Sequence, residues 1–379
     1  MAQRAKTDWI LLWAIVGLVA FGLVMVYSAS SVMARLRFGW SGYYIARQLG
    51  FAVLAFVLMM ALKRVNYRRL NSAAWAFAPI GLVLLVLLVV YFVDAHTHRW
   101  LRLGPFSIQP SEFAKPALIL FLAYFVTLRA QAINNKHTIL PAVLTVSLLA
   151  IVVVIADLGT AAVLVVTAAV VFYVAGIERR YIRYAILIAA AGVAIAVAVK
   201  PYRVVRVIGF FDPEYKTLER FSWGQKIKDY ANRSSFNRDP GYHVRQSKIA
   251  LGSGGVLGKG LMEGKQKLFY LPEAHTDFIY AVVGEELGLA GCAVVVLLFL
   301  VILWRGVLLV RSTPDDFGRY LALGVTTMVV VQALMNISVV LGMAPTKGIP
   351  LPMISYGGSS LLSTLISLGL LLSVSEQHG

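Results

Sequence analysis

The sequence predicts an all-α membrane protein of about ten transmembrane helices, both termini cytoplasmic, with one large extracytoplasmic loop between helices 7 and 8. Three observations predict it: an apolar composition, ten apolar runs of membrane-crossing length, and basic residues gathered on one side. Of the 379 residues, 59% are hydrophobic and 14% charged, and the mean hydropathy is +0.77. A water-soluble domain carries about 25% charged residues, so lipid is the solvent for most of this chain. A formal charge of +17 and a pI near 10 would suggest nucleic acid in a soluble protein. In a membrane protein, lysine and arginine instead mark cytoplasmic loops and meet anionic lipid, so no nucleic-acid partner is expected. Cys292 is the only cysteine, which excludes an internal disulfide and a Cys-based metal site. It lies in an apolar run and reads as buried filler.

A helix needs about 20 apolar residues to cross the hydrocarbon. Runs of this kind occupy 9–27, 45–62, 73–93, 111–127, 139–156, 158–176, 182–199, 278–303, 319–341 and 356–374. The first follows Arg4 and Lys6 and precedes Ser28, Ala29 and Ser30, as a signal peptide would. It is too long for a signal-peptide apolar region and more spans follow, so it reads as a retained helix. Leu158 and Gly159 must turn the chain at the surface between two of the runs. With ten spans, the termini share one side. That side collects Arg4, Lys6, Lys63, Arg64, Arg68, Arg69, Arg129, Lys136, Arg179, Arg180, Arg183, Arg305, Arg311 and Arg319. The short loops opposite hold Arg35, Arg37, Arg47, Arg99, Arg102 and Lys347. The bias makes the termini cytoplasmic and places the 200–276 loop outside. No transporter-type repeat and no low-complexity linker occurs. Residues 1–379 therefore read as a single polytopic membrane domain with that loop inside it.

Ionisable residues near the membrane are costly and mark function or pairing. Glu112, Asp157, Asp277, Glu285 and Glu286 all fall near outer helix ends. Four polar segments share that face. In the first, His98-Arg99-Trp100 precedes Gln109-Pro110-Ser111-Glu112, a helix start with an acid in its first turn. Glu112 and Lys115 are three apart and share a helix face; they either neutralise each other or present Lys115 to a ligand phosphate. In the second, Asp157-Leu158-Gly159-Thr160, Asp157 is placed to cap the following helix. The third runs from Tyr242 to Phe278. Its Ser253-Gly254-Gly255 and Gly258-Lys259-Gly260 permit close backbone approach, and Lys259, Lys265 and Lys267 strengthen a phosphate reading that glycines alone would not carry. No Walker pattern is present, so ATP is not expected. Asp277 closes this segment, as an N-cap, a general base or a ligand for a divalent metal against a pyrophosphate. In the fourth, Pro345 to Ser360, three prolines and Gly357-Gly358 force irregular backbone, which survives at a membrane only inside protein or around a wet cavity.

At these motifs the sequence resembles the SEDS family of shape, elongation, division and sporulation proteins. The resemblance rests on Lys267-Leu268-Phe269-Tyr270-Leu271-Pro272-Glu273-Ala274-His275-Thr276-Asp277-Phe278-Ile279, on Pro345-Thr346-Lys347-Gly348, and on Ile354-Ser355-Tyr356-Gly357-Gly358-Ser359-Ser360. Gln109-Pro110-Ser111-Glu112 with Lys115, Tyr27-Ser28-Ala29-Ser30 and Asp157-Leu158-Gly159-Thr160 also fit. The match runs in order along nearly the whole chain. The Glu273-Ala274-His275 spelling is similar to the division branch rather than the elongation branch. His96-Thr97-His98 departs from the small or polar residues usual before Arg99-Trp100.

The resemblance implies a bacterial peptidoglycan glycosyltransferase in the cytoplasmic membrane. It would polymerise lipid II, a disaccharide-pentapeptide on undecaprenyl pyrophosphate, into β-1,4 glycan at the outer face. Its partners would be a class B penicillin-binding protein and other division membrane proteins. The family's essential aspartate maps onto Asp277, and its conserved polar residues onto Arg99, Glu112 and Lys115. Gln246, Ser247, Lys267, His275, Lys347, Ser355 and Ser359 are further candidates for substrate contact, and Asp157 and Thr160 are structural or capping residues. Asp277 could hold a divalent cation (Mg or Mn); no organic cofactor is expected. The donor carbon bears an α-linked pyrophosphate and the product is β, so one displacement needs one base and a stabilised leaving group. The alternatives are a lipid II flippase, an elongation rather than division polymerase, a division scaffold and a small-solute transporter.

Overall fold

The computed structural model describes residues 7–94, 97–103, 106–198, 242–345 and 348–377, with Val204, Val207 and Phe210. Eleven α-helices are described: α1 (Trp9–Phe38), α2 (Tyr43–Arg64), α3 (Ala73–Val93), α4 (Pro110–Leu128), α5 (Lys136–Ala156), α6 (Leu158–Val174), α7 (Arg179–Ala198), α8 (Tyr242–Gly254), α9 (Ile279–Ser312), α10 (Asp316–Val340) and α11 (Gly358–Gln377). Eight of them, all but α6, α7 and α8, are long and apolar enough to cross a membrane. At 17 residues α6 is short; at 1.5 Å per residue it reaches about 26 Å, against about 30 Å of hydrocarbon. The expected run 9–27 extends to Phe38, because Ser28, Ser30 and Ser31 are buried in the bundle rather than ending the helix at its surface.

Two features depart from the expected bundle of spans and a plain loop. Two short strands, β1 (Leu101–Leu103) and β2 (Phe106–Ile108), pair antiparallel, with Arg102 opposite Ser107. The loop expected at 200–276 contains α8, while its early part, residues 211–241, lies outside the described residues.

Burial divides the helices into central and peripheral ones. In α11 and α4, 83% and 72% of the apolar window is buried; in α2 and α3 the shares are 22% and 28%. One apolar cluster joins α1, α2, α9, α10 and α11 around Leu18, Val282, Val325 and Leu365. A second joins α3, α4, α5 and α6 around Val83, Phe121, Leu149 and Val171. Between them runs α4, whose Ile119 belongs to the first cluster and whose Phe121 belongs to the second. Large exposed side chains such as Phe92 on α3 and Ile151 on α5 suit contact with lipid tails.

A break in α9 governs the end of the bundle that holds the polar segments. Gly288 has φ +65° inside the helix. A Cβ there would lie 2.4 Å from Gly258 N and 2.5 Å from Val256 O, so only glycine fits. The break leaves backbone groups of α9 without helical partners, and in lipid each must be satisfied inside the protein. The 255–260 loop satisfies them. Leu289 and Ala290 N–H donate to the carbonyls of Gly255 and Val256, and Lys259 and Gly260 N–H donate to those of Glu285 and Glu286. The glycine-rich run therefore does not cradle a phosphate: its backbone mends the broken helix.

Two buried carboxylates lock the rest of that loop. Glu285 accepts from Lys259 Nζ and Lys265 N, both at 2.9 Å, and from Gln266 N at 3.0 Å. Glu286 accepts from Ser28 Oγ of α1, from Met262 N and from Lys267 Nζ at 2.6 Å. The Lys267 ammonium also donates to Ser28 Oγ and Met262 O, which uses all three of its donors. Lys267, a candidate for substrate contact, is thus a buried structural cation. At the opposite end, Asp8 caps α1 and pairs with Arg305, and Lys63 pairs with Glu376.

Removing Glu286 strands the Lys267 ammonium in a dry site. Glu286→Ala is expected to destabilise the protein by about 3 kcal/mol, read as a lowered melting temperature in detergent. Adding Lys267→Met to that variant should restore part of the loss; a double variant no more stable than the single one refutes the pairing.

Candidate functional site

Asp277 lies in the turn that delivers residues 271–278 into α9. It is not the N-cap: that position is Phe278, and no side chain caps it. The half-buried Asp277 carboxylate is therefore placed by its surroundings rather than by a capping duty. Its backbone carbonyl accepts from Asn336 Nδ2 of α10 at 2.7 Å, and the same amide donates to Ile349 O at 2.7 Å. One turn earlier on α10, Gln332 Nε2 donates to Pro350 O at 2.9 Å. The proline-rich strap, residues 348–357, is thus held from α10 at two successive carbonyls. It passes over Asp277: a Cβ on Gly348 would lie 3.0 Å from Asp277 Oδ2.

Gln332 also reaches the first polar segment. Its Oε1 accepts from Lys115 Nζ at 2.7 Å, and Lys115 donates to Glu112 Oε2 at 2.7 Å. Both members of this pair are buried, at 1% and 2% exposure. The dry surroundings make the pairing obligatory, since either charge alone would be stranded. An ammonium has three donors, and Glu112 and Gln332 take two. Pro110 starts α4 and leaves Glu112 in its first turn, where the helix dipole favours an anion.

Arg99 is the more open cation. Its Nη2 lies 3.4 Å from Asp157 Oδ2, and its Nε is buried with no partner among the described residues. The guanidinium also lies over the Trp100 ring. Asp157 caps α6 through Gly159 N and accepts from Thr160 Oγ1 at 2.7 Å and Gln109 Nε2 at 3.3 Å.

Several candidates for substrate contact tie the protein to itself instead. Ser247 Oγ donates to Val340 O at 2.7 Å, docking α8 on the end of α10. Ser355 Oγ accepts from Leu351 N and donates to Thr276 O at 2.6 Å. Ser359 Oγ accepts from Gln109 N. His275 is buried between the rings of Tyr44 and Tyr356, and its carbonyl accepts from Tyr356 N. Gln246 is half-buried on α8, a helix that reaches the Asp277 turn through His243 stacked on Phe278. Lys347 lies outside the described residues.

The structure brings together Arg99, Glu112, Lys115, Asp157, His275, Asp277 and the strap. The linking side chains Gln332, Asn336 and Gln48 had no place in the sequence reading. Gln48 donates to Ser355 O and accepts from Gly357 N. Their signal was there: uncharged amides inside apolar spans, with Gln332 and Asn336 four residues apart on one helix face. Chemically, the arrangement offers a carboxylate at a protein-lined surface, on the side of the bundle that also holds an arginine and a buried lysine. That suits deprotonation of a hydroxyl and stabilisation of an anionic leaving group.

Residues 9–379 match a family model described as a cell cycle protein, FTSW_RODA_SPOVE. The chain is 40% identical over 385 residues to a probable peptidoglycan glycosyltransferase FtsW of Geobacter metallireducens, covering 100% of this chain and 96% of that one. It is 36% identical over 379 residues to stage V sporulation protein E of Bacillus subtilis, covering 99% and 98%. Among solved structures it resembles a chain of a complex described as "Structural coordination of polymerization and crosslinking by a peptidoglycan synthase complex". There the TM-score is 0.73 and the identity 28%, over 98% of both chains. It also resembles the rod shape determining protein RodA of Thermus thermophilus, with TM-score 0.64 and 25% identity over 99% and 98%.

Burial pushes the pKa of His275 below the usual histidine value, and its Nδ1 has no partner among the described residues. The folded protein therefore keeps the ring neutral while the unfolded chain takes up a proton below about pH 6.5. Melting temperature should fall as pH drops through that value and hold above it, and His275→Gln should flatten the dependence. An unchanged slope in the variant refutes the assignment.

Proposed function

The chain belongs to the FtsW, RodA and SpoVE family of cell cycle proteins, and from that premise we infer that it is a peptidoglycan glycosyltransferase of the division kind, polymerising lipid II at the outer face of the bacterial cytoplasmic membrane. It is a multi-pass membrane protein. The ten-span topology with both termini cytoplasmic follows from adding α6 and α7 to the eight helices long and apolar enough to cross a membrane and from the one-sided basic loops. The observation that carries the reading is Asp277. Its backbone carbonyl is held by Asn336 and its carboxylate lies against the strap, on the same side of the bundle as Arg99 and the Glu112–Lys115 pair.

In this reading the 4-hydroxyl of an N-acetylglucosamine attacks the anomeric carbon of the donor. The O4–C1 bond forms as the bond from C1 to the pyrophosphate oxygen breaks, with inversion. Asp277 takes the hydroxyl proton. Arg99 steadies the charge that collects on the pyrophosphate, while the buried Lys115 ties Glu112 to Gln332 and so sets the α4 end of the site. Among the described residues no three His, Cys, Asp or Glu side chains converge. A divalent cation would share Asp277 with substrate phosphates and water, as magnesium commonly does, and would neutralise the leaving group.

A flippase needs a polar route through the whole bilayer. The buried ion pairs Glu112–Lys115 and Glu286–Lys267 and the Arg99–Asp157 contact belong instead to the side that carries Asp277, which favours chemistry at one surface. The peptidoglycan synthase complex among the structural relatives supports a class B penicillin-binding protein as partner, with other division membrane proteins joining it.

The test is polymerisation of purified lipid II by the full-length protein with its transpeptidase partner. Asp277→Ala is expected to lower turnover by about a thousandfold or more while leaving melting temperature and partner binding intact. Substantial glycan from that variant refutes the base.

A further inference from the structure

We propose that Asn336 of α10 and Gly348 of the strap are positioning residues for the Asp277 carboxylate; the inference rests on the polymerase reading. Three observations carry it. First, Asn336 spends both amide hydrogens on the chain segments that flank the carboxylate, Asp277 O and Ile349 O. Second, Asn336 is 1% exposed, and its Oδ1 is buried with no partner among the described residues. An apolar side chain filling the same space would leave no such orphan, so the donors are what the position requires. Third, Gly348 backs the carboxylate so closely that a methyl group would meet Oδ2 at 3.0 Å. That is tighter than ordinary van der Waals contact.

These contacts form one device. Asn336 and Gln332 share a face of α10 and hold the carbonyls of Ile349 and Pro350. The residue just before them, Gly348, is thereby laid against Asp277. Strap and turn cannot shift independently while the Asn336 amide bridges them. Gly348 bounds the carboxylate on one side, and the Asn336 bridge fixes the turn that carries it. Neither residue touches substrate in this account. Both act through Asp277, and their loss should appear in the chemical step rather than in substrate affinity.

The test measures kcat and KM for lipid II with the full-length protein and its transpeptidase partner, alongside melting temperature. Asn336→Ala and the similarly sized Asn336→Leu are expected to lower kcat about a hundredfold, the scale of a misplacement near one ångström, with KM held within about twofold. Gly348→Ala should lower kcat about tenfold and move the acid limb of the kcat–pH profile upward, because a methyl group against Oδ2 strips water from the carboxylate. Wild-type kcat in Asn336→Leu would reduce the residue to packing and overturn the proposal. So would a Gly348→Ala protein with an unmoved pH profile, or a rise in KM at constant kcat. If the α10 variants fail to fold, Gly348→Ala, outside every helix, decides alone. A wild-type protein that makes no glycan overturns the polymerase reading and this inference with it. An active wild type with unaffected variants overturns this inference only.

Discussion

The break in α9 at Gly288 is the constraint on which the polar end of this protein depends. A helix interrupted within a bilayer exposes amides and carbonyls that lipid cannot satisfy. The 255–260 loop must therefore fold back onto α9, and its backbone takes those bonds. Once the loop is there, Glu285 and Glu286 have amides and lysines to pair with, and Ser28 of α1 joins them. The chain leaving this clasp has eleven residues, 268–278, to cover before α9 begins at Ile279. Asp277 consequently lies near the end of a segment pinned at both ends.

The second constraint comes from α10. Gln332 and Asn336 place side-chain amides in a largely apolar stretch of that helix, and each joins segments far apart in sequence. Gln332 joins Lys115 to Pro350, and Asn336 joins Asp277 to Ile349. Irregular backbone is tolerated in the strap because its polar groups are taken up by α10, by Gln48 and by Ser355. The same bonds that make the strap permissible in a membrane fix its distance from the carboxylate. Structural satisfaction and site geometry are here one set of interactions.

Much of the architecture was legible because lipid imposes length and polarity rules that leave few readings. Apolar runs, the Pro110 helix start and the Asp157 cap follow from local chemistry. Local chemistry misled where a long-range partner decides the role. Lys259 and Lys267 beside glycines resemble an anion site until Glu285 and Glu286 are placed against them. Ser247, Ser355 and Ser359 read as ligand contacts until their backbone partners are seen. The β1–β2 pair was missed because three-residue strands give no periodic signal.

By itself, the sequence determined that this chain lives in a membrane, where its helices run, which face carries its acids, and that Asp277 and the Glu112–Lys115 pair stand out among them. Each of those conclusions depends on spacing along the chain and on the cost of charge in lipid, both of which a linear string records. Only the tertiary structure decided which cations remain for a ligand and what aims the carboxylate. Those outcomes depend on hydrogen bonds between residues tens to hundreds of positions apart, such as Lys115 with Gln332 and Asn336 with Asp277. Nothing in a single sequence encodes such a bond except the unexplained presence of an amide in an apolar helix.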